Sequence, residues 1–423
     1  MRRSLLVSIG DQALNSAVSL LLSLWLIAVW PPERFGAFGL IVNLAFIAQS
    51  LHNALAGAHL PVLLAGSRED EERRRVAAML SLVTIATAAL SGLFTVASLA
   101  AADPSGALDL LAAASAYVAI GVVREHLRLL GFSLFLPGRV LIADLACHAV
   151  MVLVLLAVHG LEPPSLALVF WALAAGSLMG ALVGLLPRRR LFLLRADRDL
   201  PRRLASLWRE QARWAVAGVL VGQAQSRGYI FLVGAIFGLA AVGVVNAALM
   251  ILRPLNLLLT AWAAFARPRL ARHYAQGEGA AAHRLAHVSA AGFAVATLCY
   301  GAVLLVAWPY LTAHVFEAAY VGIAAAVALC LLASLMTEIR YVYALELQTV
   351  PRFREAFVAS AAGCAVVFVA FAALLAFEDP AMSFLALALG ETAALVVAVR
   401  YLRGVTHAGR GPDGAAACDR TPA

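Results

Sequence analysis

The sequence predicts an all-α polytopic membrane protein of about twelve transmembrane helices in two six-helix lobes. Three observations carry this. Of the 423 residues 63% are hydrophobic and only 13% are charged, far from the balance of a soluble domain. The apolar residues gather in twelve runs, each near the twenty or so residues that cross a bilayer core. The connections between the runs alternate between arginine-poor and arginine-rich. A soluble enzyme, a disordered scaffold and a secreted disulfide protein are excluded, because one aqueous core could not hide this much apolar surface.

In order, the runs cover residues 8–30, 36–60, 76–100, 108–130, 139–158, 165–186, 211–237, 242–266, 287–311, 320–344, 357–377 and 382–402. The odd-numbered connections are short turns, such as Pro31-Pro32-Glu33-Arg34, Ala102-Asp103-Pro104-Ser105, Leu161-Glu162-Pro163-Pro164 and Phe377-Glu378-Asp379-Pro380. Proline there ends one helix and presets the first turn of the next. The even-numbered connections hold the arginines: Ser67 to Arg75, Pro187 to Arg213, Arg267 to Arg284, and Arg352-Phe353-Arg354. Positive loops stay cytoplasmic. With Met1-Arg2-Arg3 inside, 29 of the 32 arginines fall on or near that side. Arg34 falls outside, and Arg227 and Arg253 fall within runs. Both termini are therefore expected in the cytoplasm. The first run lacks a small-residue cleavage site and reads as a retained helix.

The sequence contains no lysine. That removes a standard phosphate-binding loop, whose lysine reaches the phosphates, and Schiff-base chemistry with it. No cofactor and no nucleic-acid partner is expected, and outer loops of a few residues leave no room for a catalytic domain. The five cysteines (Cys147, Cys299, Cys330, Cys364, Cys418) are widely spaced and read as small packing residues. His283 and His287 lie four apart in an inner loop without the other elements of a metal motif.

The longest inner loop, within 187–210, reads as a connector between lobes 1–186 and 211–403, and residues 404–423 as a disordered tail. Leu200, Leu204, Leu207 and Trp208 follow the i, i+4, i+7, i+8 spacing of an amphipathic helix, expected at the lipid headgroups. Asp197-Arg198-Asp199 matches the short acidic motif of metal-dependent glycosyltransferases, but among arginines it reads as a solvated charge cluster.

The two halves read alike. A shift of 207 residues superimposes Gly36 on Gly243, Ala54 on Ala261, Ala56 on Ala263 and Pro61 on Pro268. Each half starts inside, so the repeats are parallel. Asp11-Gln12-Ala13-Leu14-Asn15-Ser16 and the stretch from Trp30 through Gly36 to Leu40 resemble the opening of bacterial polysaccharide and O-antigen flippases. Phe237-Gly238-Leu239-Ala240-Ala241-Val242-Gly243-Val244-Val245-Asn246-Ala247-Ala248 is similar to their second-half counterpart. That family belongs to the multidrug/oligosaccharidyl-lipid/polysaccharide exporter superfamily. The resemblance implies a MATE-like fold in the bacterial inner membrane, with helices one, two, seven and eight lining a cavity. It also implies a lipid-linked glycan as substrate, membrane lipids as surroundings, and polysaccharide polymerases or glycosyltransferases as partners.

Ionisable residues deep in a membrane are costly and mark functional sites. Arg227 and Arg253 lie on the implied cavity helices. Gln223 shares a face with Arg227, while Asn246, Arg253, Asn256 and Thr260 form a stripe on one continuous helix. Two guanidiniums suit a diphosphate, because each pairs with phosphate oxygens in a fork. Their alternative is a structural ion pair with Glu338 or Glu391. In the first half Ser8, Asp11, Asn15 and Ser19, with Asn43, Ser50 and Asn53, are placed for sugar hydroxyls or for hydrogen bonds between helices. Glu391 is expected as an arginine's partner or as a proton carrier for coupling, Asp144 beside Arg139, and Glu338 in a local pair. The alternatives are a drug/cation antiporter of the same superfamily, a major-facilitator transporter, and a membrane glycosyltransferase resting on Glu33 alone.

Overall fold

The computed structural model describes residues 2–66, 69–102, 107–158, 164–186, 199–316, 318–349 and 353–408. All regular elements among them are helical. The helices are α1 (Arg2–Val29), α2 (Pro32–Leu55), α3 (Leu60–Gly66), α4 (Asp70–Ala102), α5 (Leu108–Ser133), α6 (Pro137–Val158) and α7 (Leu166–Leu185). They continue as α8 (Leu200–Leu207), α9 (Arg213–Gln223), α10 (Tyr229–Ile251), α11 (Arg253–Ala275), α12 (Gly279–His314), α13 (Ile323–Thr349), α14 (Phe353–Leu374) and α15 (Met382–Ala408). Eleven helices among the described residues are long and apolar enough to cross a membrane, which makes this a multi-pass membrane protein. Large apolar side chains such as Leu93, Phe94, Leu153 and Val306 stand exposed on their outer faces, as lipid contact allows.

The second half differs from the expected runs in one place. Ala215–Ile251 is non-helical at Gly238 (φ 83°, ψ 179°), a conformation only glycine adopts without strain, and so comprises two helices that part where the expected runs 211–237 and 242–266 part. The expected run 242–266 is not one helix. It breaks at Leu252 (φ −85°, ψ 5°), and α11 begins at Arg253 with Pro254 in its first turn. Pro254 has no N–H to give the preceding turn, and its ring crowds the carbonyl four residues back. The phenol of Tyr300 on α12 donates a 2.6 Å hydrogen bond to the carbonyl of Ile251, at the end of α10.

The chain forms two compact units, Met1–Leu220 and Val221–Ala423. In the first, α5 packs against α2, α4, α6 and α7; in the second, α13 packs against α10, α11, α12, α14 and α15. Each is the fourth span of its half and the hub of its unit. Small residues allow the close approaches. A Cβ at Gly176 would sit 2.6 Å from the carbonyl of Cys147, and one at Gly180 would sit 3.3 Å from Nε of Arg124. In a bilayer, where lipid competes for apolar contact, such backbone approach is a main source of helix association. At the first turn, Trp30 donates a 2.9 Å bond to the carbonyl of Pro164. Its ring packs edge-on against Phe38, which stacks on Phe170.

The connector differs from expectation. Of the expected apolar face, Leu200, Leu204 and Leu207 pack on Leu60, Leu64, Val76, Leu80 and Leu130 of the first unit, while Trp208 stays exposed. Arg203 adds a 2.6 Å ion pair with Glu72. Residues 187–198, with the Asp197-Arg198 part of the acidic motif, lie outside the described residues. So do Cys418 and the tail from 409 onward, whereas 404–408 continue α15 as helix.

Gly390 provides a test of the close packing. A Cβ there would overlap Cγ2 of Val367 and sit 2.7 Å from the carbonyl of Gly363. Gly390→Ala is expected to lower stability by about 1–3 kcal/mol through overpacking. Gly10→Ala, with nothing within 4 Å, is expected to leave it unchanged. Thermal unfolding of both detergent-solubilised variants checks this, and equal melting temperatures would refute it.

Candidate functional site

Each unit buries its own polar centre. In the first, α1, α5 and α6 bring Asp11, Asn15, Arg124, Arg128 and Asp144 together. Arg124 Nη2 donates 2.7 Å to Asp144 Oδ1, and Arg128 Nε donates 2.7 Å to Asp144 Oδ2. Arg128 Nη2 reaches Asp11 Oδ2 at 2.9 Å, and its Nη1 reaches Glu125 at 2.9 Å. Asn15 Nδ2 donates 3.0 Å to Asp144 Oδ2, and Asn15 Oδ1 accepts 3.1 Å from Arg124. Asp144 and Asp11 are 0% and 1% exposed. Two guanidiniums facing two buried carboxylates keep the charge nearly balanced, which is what makes such ions tolerable away from water.

The second unit builds its centre from the turn Ala224–Gly228, α13 and α15. Glu391, 2% exposed, accepts a 2.8 Å bond at Oε1 from Nε2 of the buried Gln225 and an ion pair at Oε2 from Nε of Arg340. Gln225 belongs to a π-turn, Ala224–Gly228, between α9 and α10. Arg227 sits in that same turn, half-buried. Arg253, also half-buried, starts α11 at the helix break. Glu338 accepts a 2.5 Å bond from the hydroxyl of Thr297.

The structure thus redistributes the expected residues. Asp11 is buried rather than partly hydrated and is ion-paired with Arg128, and the Asn15 amide is engaged on Asp144. Asp144 pairs not with Arg139 but with Arg124 and Arg128, one helix away. Glu391 is an arginine's partner, and the arginine is Arg340. Glu338 bonds a hydroxyl rather than forming a local ion pair. The polar stripe is interrupted at Leu252. Asn246 is buried on α10, donating 3.0 Å to the carbonyl of Val242, while Asn256 and Thr260 are exposed on α11. Gln223 lies half-buried one turn before Arg227, and Asn53 is exposed at the end of α2. Sequence reasoning assigned Arg124, Arg128 and Arg340 to the inner surface. The available signal was their position: Arg124 lies nine residues before Ser133, the end of α5, and Arg340 nine before Thr349, the end of α13.

His283 and His287 belong to a separate cluster. His283 Nδ1 lies 3.2 Å from Glu346 Oε1, which also accepts a 2.7 Å bond from the Tyr274 hydroxyl; His287 bonds Tyr343. Burial and the Glu346 carboxylate push the Tyr274 phenol up, so it remains a donor. No group of three or more metal-ligating side chains occurs among the described residues.

No family model and no curated protein matches this chain. Solved structures do. A multidrug resistance MATE family transporter of the MOP superfamily, in an inward-facing conformation, is similar at a TM-score of 0.71 and 12% identity, covering 93% of this chain and 94% of that one. An outward-facing conformation of such a transporter is similar at 0.65 and 11% identity, with 96% and 95% covered. A MOP superfamily transporter from Pyrococcus furiosus, whose binding pocket is described as reversed in polarity, is similar at 0.65 and 11% identity, with 96% and 95% covered. At these identities the likeness establishes the fold, which is that of MATE transporters.

Asp144 is the pivot of the first centre. Asp144→Asn leaves Arg124 and Arg128 facing one charge fewer and is expected to cost about 3–5 kcal/mol of stability. Asp144→Asn combined with Arg124→Gln is expected to recover part of that. Urea titration of tryptophan fluorescence in mild detergent measures both. A single variant as stable as the parent would show that the cluster holds nothing together.

Proposed function

We propose that this protein is a transporter that flips an undecaprenyl-diphosphate-linked oligosaccharide across the bacterial inner membrane by alternating access. Both termini lie in the cytoplasm in this reading. The diphosphate-sugar head enters from the cytoplasmic side while the polyprenyl tail stays in lipid. The glycan then serves surface or exopolysaccharide assembly, with polymerases and glycosyltransferases as partners. The observation that carries the proposal is the placing of two half-buried arginines at backbone irregularities of one unit, Arg227 in the π-turn and Arg253 at the break before α11. A diphosphate offers two adjacent negative groups, each suited to a forked, charge-assisted contact with a guanidinium. Asn256 and Gln223 nearby add neutral donors and acceptors.

The drug/cation antiporter reading has the printed names of several fold neighbours behind it. It needs a membrane carboxylate open to a cation. Asp11, Asp144 and Glu391 are each ion-paired to an arginine, which weighs against it, whereas Glu338, bonded to the Thr297 hydroxyl, is the carboxylate such a reading would use. The transporter from Pyrococcus furiosus, with its pocket of reversed polarity, supports the view that this fold accommodates substrates of opposite charge. Likeness to MATE folds over nearly the whole chain weighs against the major-facilitator reading.

Arg227→Ala and Arg253→Ala are each expected to reduce translocation by at least about a hundredfold, the loss of a charge-assisted contact of roughly 3 kcal/mol. Membrane insertion should be retained. The measurement is transfer of a fluorescent prenyl-diphosphate-linked sugar between leaflets of proteoliposomes. Parental rates in both variants would refute the proposal.

A further inference from the structure

The two polar centres share one design. In the first unit an amide from the first span (Asn15) and a guanidinium from the fourth (Arg124) grip opposite oxygens of one buried carboxylate. The distances are 3.0 Å to Asp144 Oδ2 and 2.7 Å to Asp144 Oδ1. In the second, Gln225 of the first span of that half takes Glu391 Oε1 at 2.8 Å, and Arg340 of the fourth takes Oε2. Arg124 and Arg340 occupy the same place on their helices, nine residues before the last. The carboxylate alone has moved, from the fifth span to the sixth. Two units with little sequence identity thus hold their first span to their hub by the same amide–carboxylate–guanidinium triad.

What the first span carries beside the triad differs. In the first unit it is Asp11, neutralised by Arg128. In the second it is Arg227, two residues after Gln225 in the π-turn. A π-turn inserts one extra residue into the helical ladder, so it persists only where tertiary contacts hold it, and such turns recur at functional sites. Here the contacts are visible. Glu391 holds Gln225, and Gly228 packs where a Cβ would come 3.1 Å from the ring of Phe368. A Cβ at Gly363 would sit 2.9 Å from Gln225 Nε2, so only glycine leaves the amide its path to the carboxylate.

We propose that Gln225, Glu391 and Arg340 are positioning residues: the triad locks the π-turn and thereby sets the direction in which Arg227 presents its guanidinium to the anionic headgroup of the substrate. The part concerning substrate rests on the diphosphate reading above. The part concerning the turn does not. Glu391 on this view is neither a substrate contact nor a proton carrier; it acts through Gln225.

The test uses the full chain in lipid nanodiscs with two readouts. Hydrogen–deuterium exchange of peptides across 220–232 reports the turn, and titration with farnesyl-diphosphate-linked N-acetylglucosamine reports the headgroup site. Glu391→Gln and Gln225→Leu are each expected to speed exchange at 220–232 about tenfold and to weaken probe binding about tenfold, with peptides of α5 unchanged. A packing control on the same helix contact, Val367→Ala, which leaves the triad intact, is expected to leave exchange at 220–232 unchanged. Unchanged exchange in the two single variants overturns the proposal. Val367→Ala speeding exchange at 220–232 as much as they do also overturns it, because simple loss of packing would then account for the single variants. If exchange responds as expected while Arg227→Ala binds the probe like the parent, the positioning of the turn stands and the diphosphate reading falls.

Discussion

The molecule depends on carboxylates held between a hub helix and its neighbours. α5 and α13 each carry an arginine nine residues before the helix end, and each is met by a buried acid. Replacing such a pair by well-fitted apolar residues costs little, whereas removing one partner strands a charge and is severe. The pairs therefore contribute less to net stability than to choosing which helices adjoin which. In a bilayer that choice matters more than in water, because apolar side chains pack about as well against lipid as against one another. Backbone contacts at Gly176, Gly180, Gly363 and Gly390 do the complementary work: they bring the helices near enough for the ion pairs to close.

Arg124, Arg128 and Arg340 face carboxylates, so each is part of a balanced interior. Arg227 and Arg253 are placed differently, in a π-turn and at a helix break, where backbone geometry already departs from the regular ladder.

Much of the fold was legible because hydropathy and arginine placement are one-dimensional signals. The apolar runs follow from what lipid excludes, and most of them return as membrane-spanning helices. The polar interior was less legible. Arg124, Arg128 and Arg340 read as inner-surface residues because distance along a helix was the only measure of depth. Their partners, Asp144 and Glu391, lie 20 and 51 residues away in sequence, and nothing in local spacing joins them. Asp144 was matched to Arg139 for the same reason, proximity in the chain. The amphipathic face of α8 was correctly identified as apolar, but periodicity does not say whether lipid or protein covers it. Leu60, Leu64 and Leu130 turned out to be the cover.

The break in helix eight was written in the sequence as Arg253-Pro254 and was read through as continuous helix. Proline inside an apolar run often only kinks it, since neighbours in a bundle re-satisfy the freed carbonyls. Here the Tyr300 hydroxyl, 46 residues beyond Pro254, binds the carbonyl of Ile251 at 2.6 Å. A donor at that distance in the chain lets the helix stop, and a new helix begin, without leaving that carbonyl bare in hydrocarbon. The start of α11 consequently carries the positive end of a helix dipole together with the guanidinium of Arg253. Its polar residues Asn256 and Thr260 stay exposed while Asn246, on the preceding segment, is buried. A continuous helix would have put all four on one face; the break dissociates them and leaves the cationic turn as the start of an independent element.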